Sequence, residues 1–154
     1  MSTTALPTGN VLGRLIGMLA DKPVRVAKAA GVKKPEYVAI YTDDEGKDAY
    51  VCYVERSLIA SMGAALALVP TATVTEALKA SAPLSDLFVQ NAYEVLNVMS
   101  SCFNESHPRH VRIRGLWLAK DAPAHAVKAT AVRAEHDVTV ANYAVGRLAV
   151  ATLD

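Results

Sequence analysis

Two stretches of the chain follow the same pattern, and together they predict the fold: NVLGRLIGML…PVRV, from Asn10 to Val26, and EVLNVMSSCF…PRHVRI, from Glu94 to Ile113. In each, apolar residues recur at helical spacing, a short segment containing proline follows, and a strand-like run of basic and β-branched residues comes next. A strand–turn–strand pattern follows both copies. We therefore expect a single domain over residues 1–154, with an internal repeat of residues 10–82 and 84–154 and a flexible lead at residues 1–9.

The first copy is followed by a β-hairpin and by helices. Residues 24–29 (VRVAKA) alternate as a strand does, and EYVAIYTDDEGKDAYVCYVE places the turn DDEG between two runs rich in Tyr and Val. SLIASMGAALALV then predicts an amphipathic helix with Ser57 as its N-cap, and TVTEALKA predicts a second helix.

The second copy predicts a helix from about Leu84 to Asn104, a strand at HVRIRGLWLA, and two alternating segments, HAVKATAVRAEH and DVTVANYAVGRLAVATL, with a turn near AEHD. The fold class that follows is α/β in the broad α+β sense. We expect a pseudo-symmetric sheet of about six mostly antiparallel strands, backed by two or three helices.

Composition excludes several classes of function. Hydrophobic residues make up 52% of the 154 residues and charged residues 20%, as in a compact globular domain. A net charge of +1, one Trp and two Phe do not fit a nucleic-acid surface. The N-terminus lacks the pattern of a signal peptide, and the longest apolar run, residues 59–70, is too short to cross a membrane. We therefore expect a cytoplasmic protein that binds neither nucleic acid nor membrane.

The cysteines, histidines and acidic residues do not predict a metal site. Cys52 and Cys102 each lie in an apolar segment, which is typical of buried free thiols. His107 and His110 flank a proline with no Asp or Cys nearby, which favours a loop. The acidic cluster at residues 43–45 lacks the ligand spacing of a calcium loop and fits a solvated turn. We expect no metal and no cofactor of the protein's own.

The helix of the second copy has an unusual polar face. Its apolar stripe, at about 100° per residue, consists of Leu84, Phe88, Ala92, Val95, Met99 and Cys102. Glu94 and Asn97 lie about 60° apart around the axis and one turn apart along it, so their side chains are neighbours on the other side. Gln90 and Ser101 extend this strip by one turn in each direction. Any amphipathic helix has a polar face, so the strip also fits an ordinary solvated surface.

At this point the chain resembles the CheC/CheX/FliY family of chemotaxis phosphatases, which is related to FliM and FliN. Those proteins are pseudo-symmetric α/β units whose catalytic helices carry E-x-x-N on an exposed face, and Glu94-Val-Leu-Asn97 matches this motif. The first copy reads Asn10-Val-Leu-Gly13, so only one site per chain is expected, as in CheX-type members. The chain departs from the longer family pattern at Gln90, where Asp or Ser is usual, and at Ser101-Cys102, where a Gly-Asn pair is frequent.

The resemblance implies hydrolysis of the aspartyl phosphate on a CheY-type response-regulator receiver. Asn97 would orient the attacking water, Glu94 would pair with the receiver's lysine, and Gln90 and Ser101 would be partner contacts. The receiver would supply the Mg²⁺. Two alternatives remain open: a non-catalytic adaptor of the same fold that binds a receiver or a motor component, and a scaffold of the roadblock type. The small-residue segment SMGAALAL fits helix packing and also self-association, which leaves a homodimer open.

Overall fold

The structure, a computed structural model, describes residues 6–29, 36–105, 107–127 and 133–153. Its helices are α1 (Gly9–Ala20), α2 (Arg56–Leu66), α3 (Thr71–Lys79), α4 (Asp86–Val98), α5 (Ser100–Asn104) and α6 (Ala124–Val127). Its strands are β1 (Val24–Lys28), β2 (Tyr37–Asp43), β3 (Asp48–Val54), β4 (Val111–Leu118), β5 (Arg133–Val140) and β6 (Gly146–Thr152). This is the α+β architecture that the sequence predicts.

The six strands of the described residues form one sheet in the order β1-β5-β6-β3-β2-β4, and every pair of neighbours is antiparallel. Each strand of the first half has a counterpart in the second half: β1 and β4, β2 and β5, β3 and β6. If every strand is replaced by its counterpart, the same strand order is obtained in the opposite direction. The sheet is therefore pseudo-symmetric about the β3–β6 pair. Helix α1 precedes β1, and the α4–α5 segment precedes β4. Helix α1 and this segment therefore occupy equivalent places in the two halves.

The main core lies between one face of the sheet and the helices. Helix α2 is at its centre, because every residue from Leu58 to Ala65 is buried. Such a helix cannot show an amphipathic pattern, since sheet and neighbouring helices cover it on all sides. Leu6 contacts this core, Pro7 is buried, and Thr8 caps α1 by accepting a hydrogen bond from the Val11 N–H. Residues 1–5 of the expected flexible lead lie outside the described residues.

The β2–β3 hairpin has its turn at DDEG, as predicted. One carboxylate oxygen of Asp43 accepts hydrogen bonds from the Glu45 and Lys47 N–H groups, and Gly46 has φ 83°, which suits glycine. Backbone N–H groups, led by that of Lys47, lower the pKa of Asp43. Asp43 therefore holds the turn, whereas Asp44 and Glu45 are exposed and pair with Arg109.

The predicted turn near AEHD is wrong. Strand β5 runs through residues 134–137, and the chain turns at residues 141–145, where Ala141 adopts φ 46°. The polar residues Glu135 and Asp137 do not mark a turn, because they lie on the open face of the sheet. There Arg133 pairs with Glu135 at 3.3 Å and Arg147 pairs with Asp137 at 3.1 Å. Residues 125–127 of the segment interpreted as strand-like belong to α6, and residues 128–132 lie outside the described residues.

Two predicted helix details are also wrong. Ser57 does not cap α2, which begins at Arg56 after Glu55; the Glu55 carboxylate instead accepts from the Arg147 N–H. The helix predicted from Leu84 to Asn104 is divided at Met99. There the Ser101 hydroxyl donates to the Val98 carbonyl, and the Cys102 N–H shifts to the Met99 carbonyl at 3.0 Å. This tighter turn ends the regular helix.

A second, smaller apolar cluster covers part of the other face of the sheet. Ala126 of α6 packs against Val38, Ile40, Val51 and Tyr53, and the Tyr53 hydroxyl donates to the Ala126 carbonyl. Cys52 and Cys102 are buried free thiols, as expected, and burial raises the pKa of Cys52 to about 12. Across the described ranges, no helix combines the length and the apolar character that a membrane span requires.

Candidate functional site on helix α4

Helix α4 is held against α2 by a close crossing. A Cβ atom on Gly63 would overlap the Phe88 carbonyl oxygen, so only glycine permits this approach. The Asn91 amide donates to the Gly63 carbonyl at 3.3 Å across the same contact. The crossing turns Phe88, Ala92, Val95 and Leu96 into the core and therefore turns the opposite side of α4 outward.

A buried tyrosine fixes the backbone beside Asn97. The hydroxyl of Tyr41, on strand β2, donates to the Leu96 carbonyl at 2.6 Å. Tyr41 is fully buried and its ring packs at 4.7 Å from that of Phe103. Burial is the largest cause of its strongly raised pKa, so this hydroxyl remains a donor at all ordinary pH values. The contact anchors the last turn of α4 to the sheet.

The four polar residues predicted as a strip, Gln90, Glu94, Asn97 and Ser101, are all exposed. Side chains of Gln90, Glu94 and Asn97 make no hydrogen bond or ion pair with the rest of the described chain. Ser101 differs, because its hydroxyl already donates to the Val98 carbonyl and only its lone pairs remain free for a partner. Glu94 and Asn97 are therefore presented to solvent in the arrangement that the helical spacing predicts.

A groove borders the strip on the side of the sheet edge. It has a volume of about 340 Å³ and lies between α4 and the edge strand β4, lined by Val89, Gln90, Tyr93, Glu94 and Leu116. Val89, Tyr93 and Leu116 form its apolar part, and Gln90 and Glu94 complete its lining. A side chain of a bound partner could enter here while a polar group meets Glu94.

The histidines and acidic residues considered in the sequence are not grouped into a metal site within the described part of the chain. His107 lies in a loop where its Nδ1 accepts from the Arg109 N–H at 3.2 Å. Among the residues that the structure describes, no three His, Cys, Asp or Glu side chains form a group suited to a metal ion.

Several residues that build the site do not stand out in the sequence. Tyr41 is 55 positions from Leu96 along the chain, and Gly63 is 28 positions from Asn91. Nothing in the local pattern connects them to α4. Leu87 and Val98 are different, since the helical period places both near Glu94 and could have identified them as exposed apolar neighbours.

Comparison with solved structures shows which fold this is. The chain superimposes on the FliM middle domain from H. pylori with a TM-score of 0.68 at 9% identity, covering 94% of this chain and 84% of that one. It also matches CheX in the CheX–CheY–BeF3–Mg complex from Borrelia burgdorferi (TM-score 0.55, 6% identity, 92% of each chain). FliY from Thermotoga maritima is similar as well, with a TM-score of 0.53, 13% identity, and 92% and 82% covered.

No family model matches the sequence, and no curated protein matches it. The likeness therefore lies in three-dimensional structure. It shows that this chain has the fold shared by CheX and FliY and by the related FliM middle domain, as the E-x-x-N resemblance implies.

Proposed function

We propose that this protein hydrolyses the aspartyl phosphate of a CheY-type receiver domain. One observation carries the proposal: Glu94 and Asn97 are both exposed on α4, without a partner among the described residues, in a chain with the fold of CheX. Both side chains are therefore available to contact a bound receiver. The solved CheX neighbour is a complex with CheY, BeF3 and Mg, which supports a receiver as the partner.

The role of Asn97 is to place water. Hydrolysis forms a bond from the water oxygen to phosphorus, breaks the bond from phosphorus to the aspartyl oxygen, and releases inorganic phosphate and the receiver's carboxylate. Such a reaction needs positioning and charge compensation more than covalent help. The Asn97 amide can accept a hydrogen bond from the water and donate one to a phosphoryl oxygen, and it does not titrate. The Tyr41 contact to Leu96 keeps its backbone in place.

Glu94 orients the complex. Its carboxylate pairs with the lysine of the receiver's active site, one turn from Asn97, and so sets the angle at which α4 approaches. Gln90 and Ser101 contact the receiver one turn to either side. The Mg²⁺ belongs to the receiver, and we assign none of this chain's residues to it.

A second candidate function is a non-catalytic adaptor that binds a receiver or a motor component. The higher TM-score with the FliM middle domain, 0.68 against 0.55 for CheX, favours it. Both functions use binding, so only turnover separates them.

The test is the decay of a phosphorylated receiver from the same organism, followed by the loss of labelled phosphate with and without the protein. We expect faster decay, with Asn97→Ala lowering the rate at saturation about 100-fold, the usual effect of removing one positioned polar group. Glu94→Ala should mainly weaken binding. Asn10→Ala is the control, since Asn10 is an exposed asparagine on α1, at the place that corresponds to Glu94 on α4.

Receivers whose decay is unchanged by the wild-type protein, while they still bind it, would support the adaptor instead. Equal loss of rate in Asn97→Ala and Asn10→Ala would contradict the assignment of the site to α4.

A further inference from the structure

Two exposed apolar side chains stand beside the polar strip. Leu87 is 51% exposed and Val98 is 37% exposed, which makes them two of the six large apolar side chains that the described residues leave in solvent. At about 100° per residue, Leu87 lies about 20° and Val98 about 40° around the axis from Glu94, both on the side away from Asn97. These two side chains lie at the two ends of one margin of the strip, about 16 Å apart along the axis, and are called the apolar ridge below.

The charge on this helix does not favour long-range attraction to a phosphorylated site. From Leu84 to Glu105 the only charged residues are Asp86, Glu94 and Glu105, and none is basic. A receiver's phosphorylated pocket is itself built from carboxylates and a phosphoryl group. One lysine of the receiver paired with Glu94 would fix the orientation of the complex. The other carboxylates of α4 and those of the receiver's pocket have the same charge and do not attract one another. Affinity must come from another source.

The ridge is suitably placed to supply that affinity. Apolar contacts next to a polar pair exclude water from it, which strengthens the hydrogen bonds that the pair makes. The groove lined by Val89, Tyr93 and Leu116 borders the opposite side of the strip, so Glu94 and Asn97 lie between two apolar margins. A partner that covers both margins would enclose the amide and the attacking water.

We propose that Leu87 and Val98 are the anchors through which the phosphorylated receiver docks on α4, and that this docking depends on apolar contact rather than on charge. The proposal rests on the proposed function for the identity of the partner. The ridge continues the strip directly, and this continuity favours the receiver over a second copy of the chain, which would cover Glu94 and Asn97.

The test measures binding separately from turnover. A receiver carrying BeF3 and Mg²⁺ in place of the phosphoryl group is titrated calorimetrically with the wild-type protein and with Leu87→Ser, Val98→Ser and the double variant. Leu68→Ser and Val145→Ser are matched controls, because these side chains are 74% and 54% exposed elsewhere. We expect the double variant to bind at least about tenfold more weakly and both controls to bind as wild type does.

Salt gives a second readout on the wild-type protein alone. If the receiver docks by apolar contact, raising NaCl from about 50 to 300 mM should change the Kd less than about threefold, since screening acts on charge pairs. A tenfold weakening with salt would overturn the proposal even if no variant folds.

The remaining outcomes are also decisive. If the double variant binds as wild type does, the ridge is not the anchor, although the phosphatase assignment stands. If the wild-type protein binds no receiver, the proposed function fails together with the ridge. If Leu87→Ser only converts a dimer to a monomer in light scattering, the ridge is an interface between copies and the proposal is overturned.

Discussion

At the scale of single residues, the side chains proposed to contact a partner are different from the side chains that fix the position of α4. Asn97 is exposed, whereas Tyr41 is buried and bonded to the backbone one residue before it. The exposed residues of α4 can be predicted from the helical period, but Tyr41 lies on a strand distant in sequence. This difference explains why the strip is predictable from sequence and its support is not.

His136 is the residue whose protonation should affect stability most clearly. Its ring is buried beneath Gly9, its Nε2 has no hydrogen-bond partner among the described residues, and burial lowers its pKa from 6.5. As the pH falls below about 6.5, the unfolded chain takes up the proton before the folded protein does. The free energy of unfolding should therefore decrease from pH 7.5 to pH 5.5.

His136→Leu should remove this part of the pH dependence and leave stability at pH 7.5 equal or up to about 1 kcal/mol higher, because an unpartnered polar atom leaves the core. Urea unfolding at a series of pH values is the measurement. His110→Gln, at an exposed histidine, should keep the wild-type slope. Parallel slopes for wild type and His136→Leu would show that His136 does not contribute.

At the scale of elements, the crossing of α2 and α4 decides where the candidate site points. Gly63 lies within α2, where alanine normally stabilises a helix by roughly 0.5–1 kcal/mol relative to glycine. Here the sign should reverse, because the new Cβ would overlap the Phe88 carbonyl oxygen and force the helices apart. Helix propensity alone gives the wrong answer at this position.

We expect Gly63→Ala to destabilise the protein by about 1–3 kcal/mol, the usual cost of overpacking, and to lower receiver binding by displacing α4. Denaturant unfolding and calorimetry measure the two effects. Ser57→Ala on the same helix is the control and should change stability by less than about 0.5 kcal/mol, because Ser57 does not cap α2. A stabilised Gly63→Ala variant would mean that the crossing is not tight.

At the scale of the whole molecule, the two halves share a topology but are not interchangeable. Strand order is symmetric, and Asn10 and Gly13 on α1 correspond to Glu94 and Asn97 on α4. Gly13 nevertheless faces strand β1, where an added Cβ would lie 3.1 Å from Val26 Cγ2. Helix α1 packs closely on the sheet at this point, so a side chain at position 13 would require Val26 to shift.

Gly13→Asn together with Asn10→Glu would introduce the E-x-x-N motif on helix α1 in the first half of the chain. We expect loss of about 1–3 kcal/mol of stability and no second site, since the amide must displace Val26 or distort α1. Unfolding and the stoichiometry of receiver binding measure this, with Asn10→Glu alone as a neutral control. Two receivers bound per chain would show that α1 can present a site after all.

The sequence by itself determined the order of the main helices and strands, the β2–β3 hairpin, the core stripe of α4 and the exposed strip from Gln90 to Ser101, because hydrophobic period and turn chemistry are local properties. Only the tertiary structure decided where β5 ends and how closely α1 packs on β1 at Gly13, and it alone joined Tyr41 and Gly63 to α4. These features depend on contacts between residues far apart in the chain, such as Tyr41 with Leu96 and Gly63 with Phe88. Local sequence patterns cannot predict such contacts, because each contact depends on how helices and strands pack against one another.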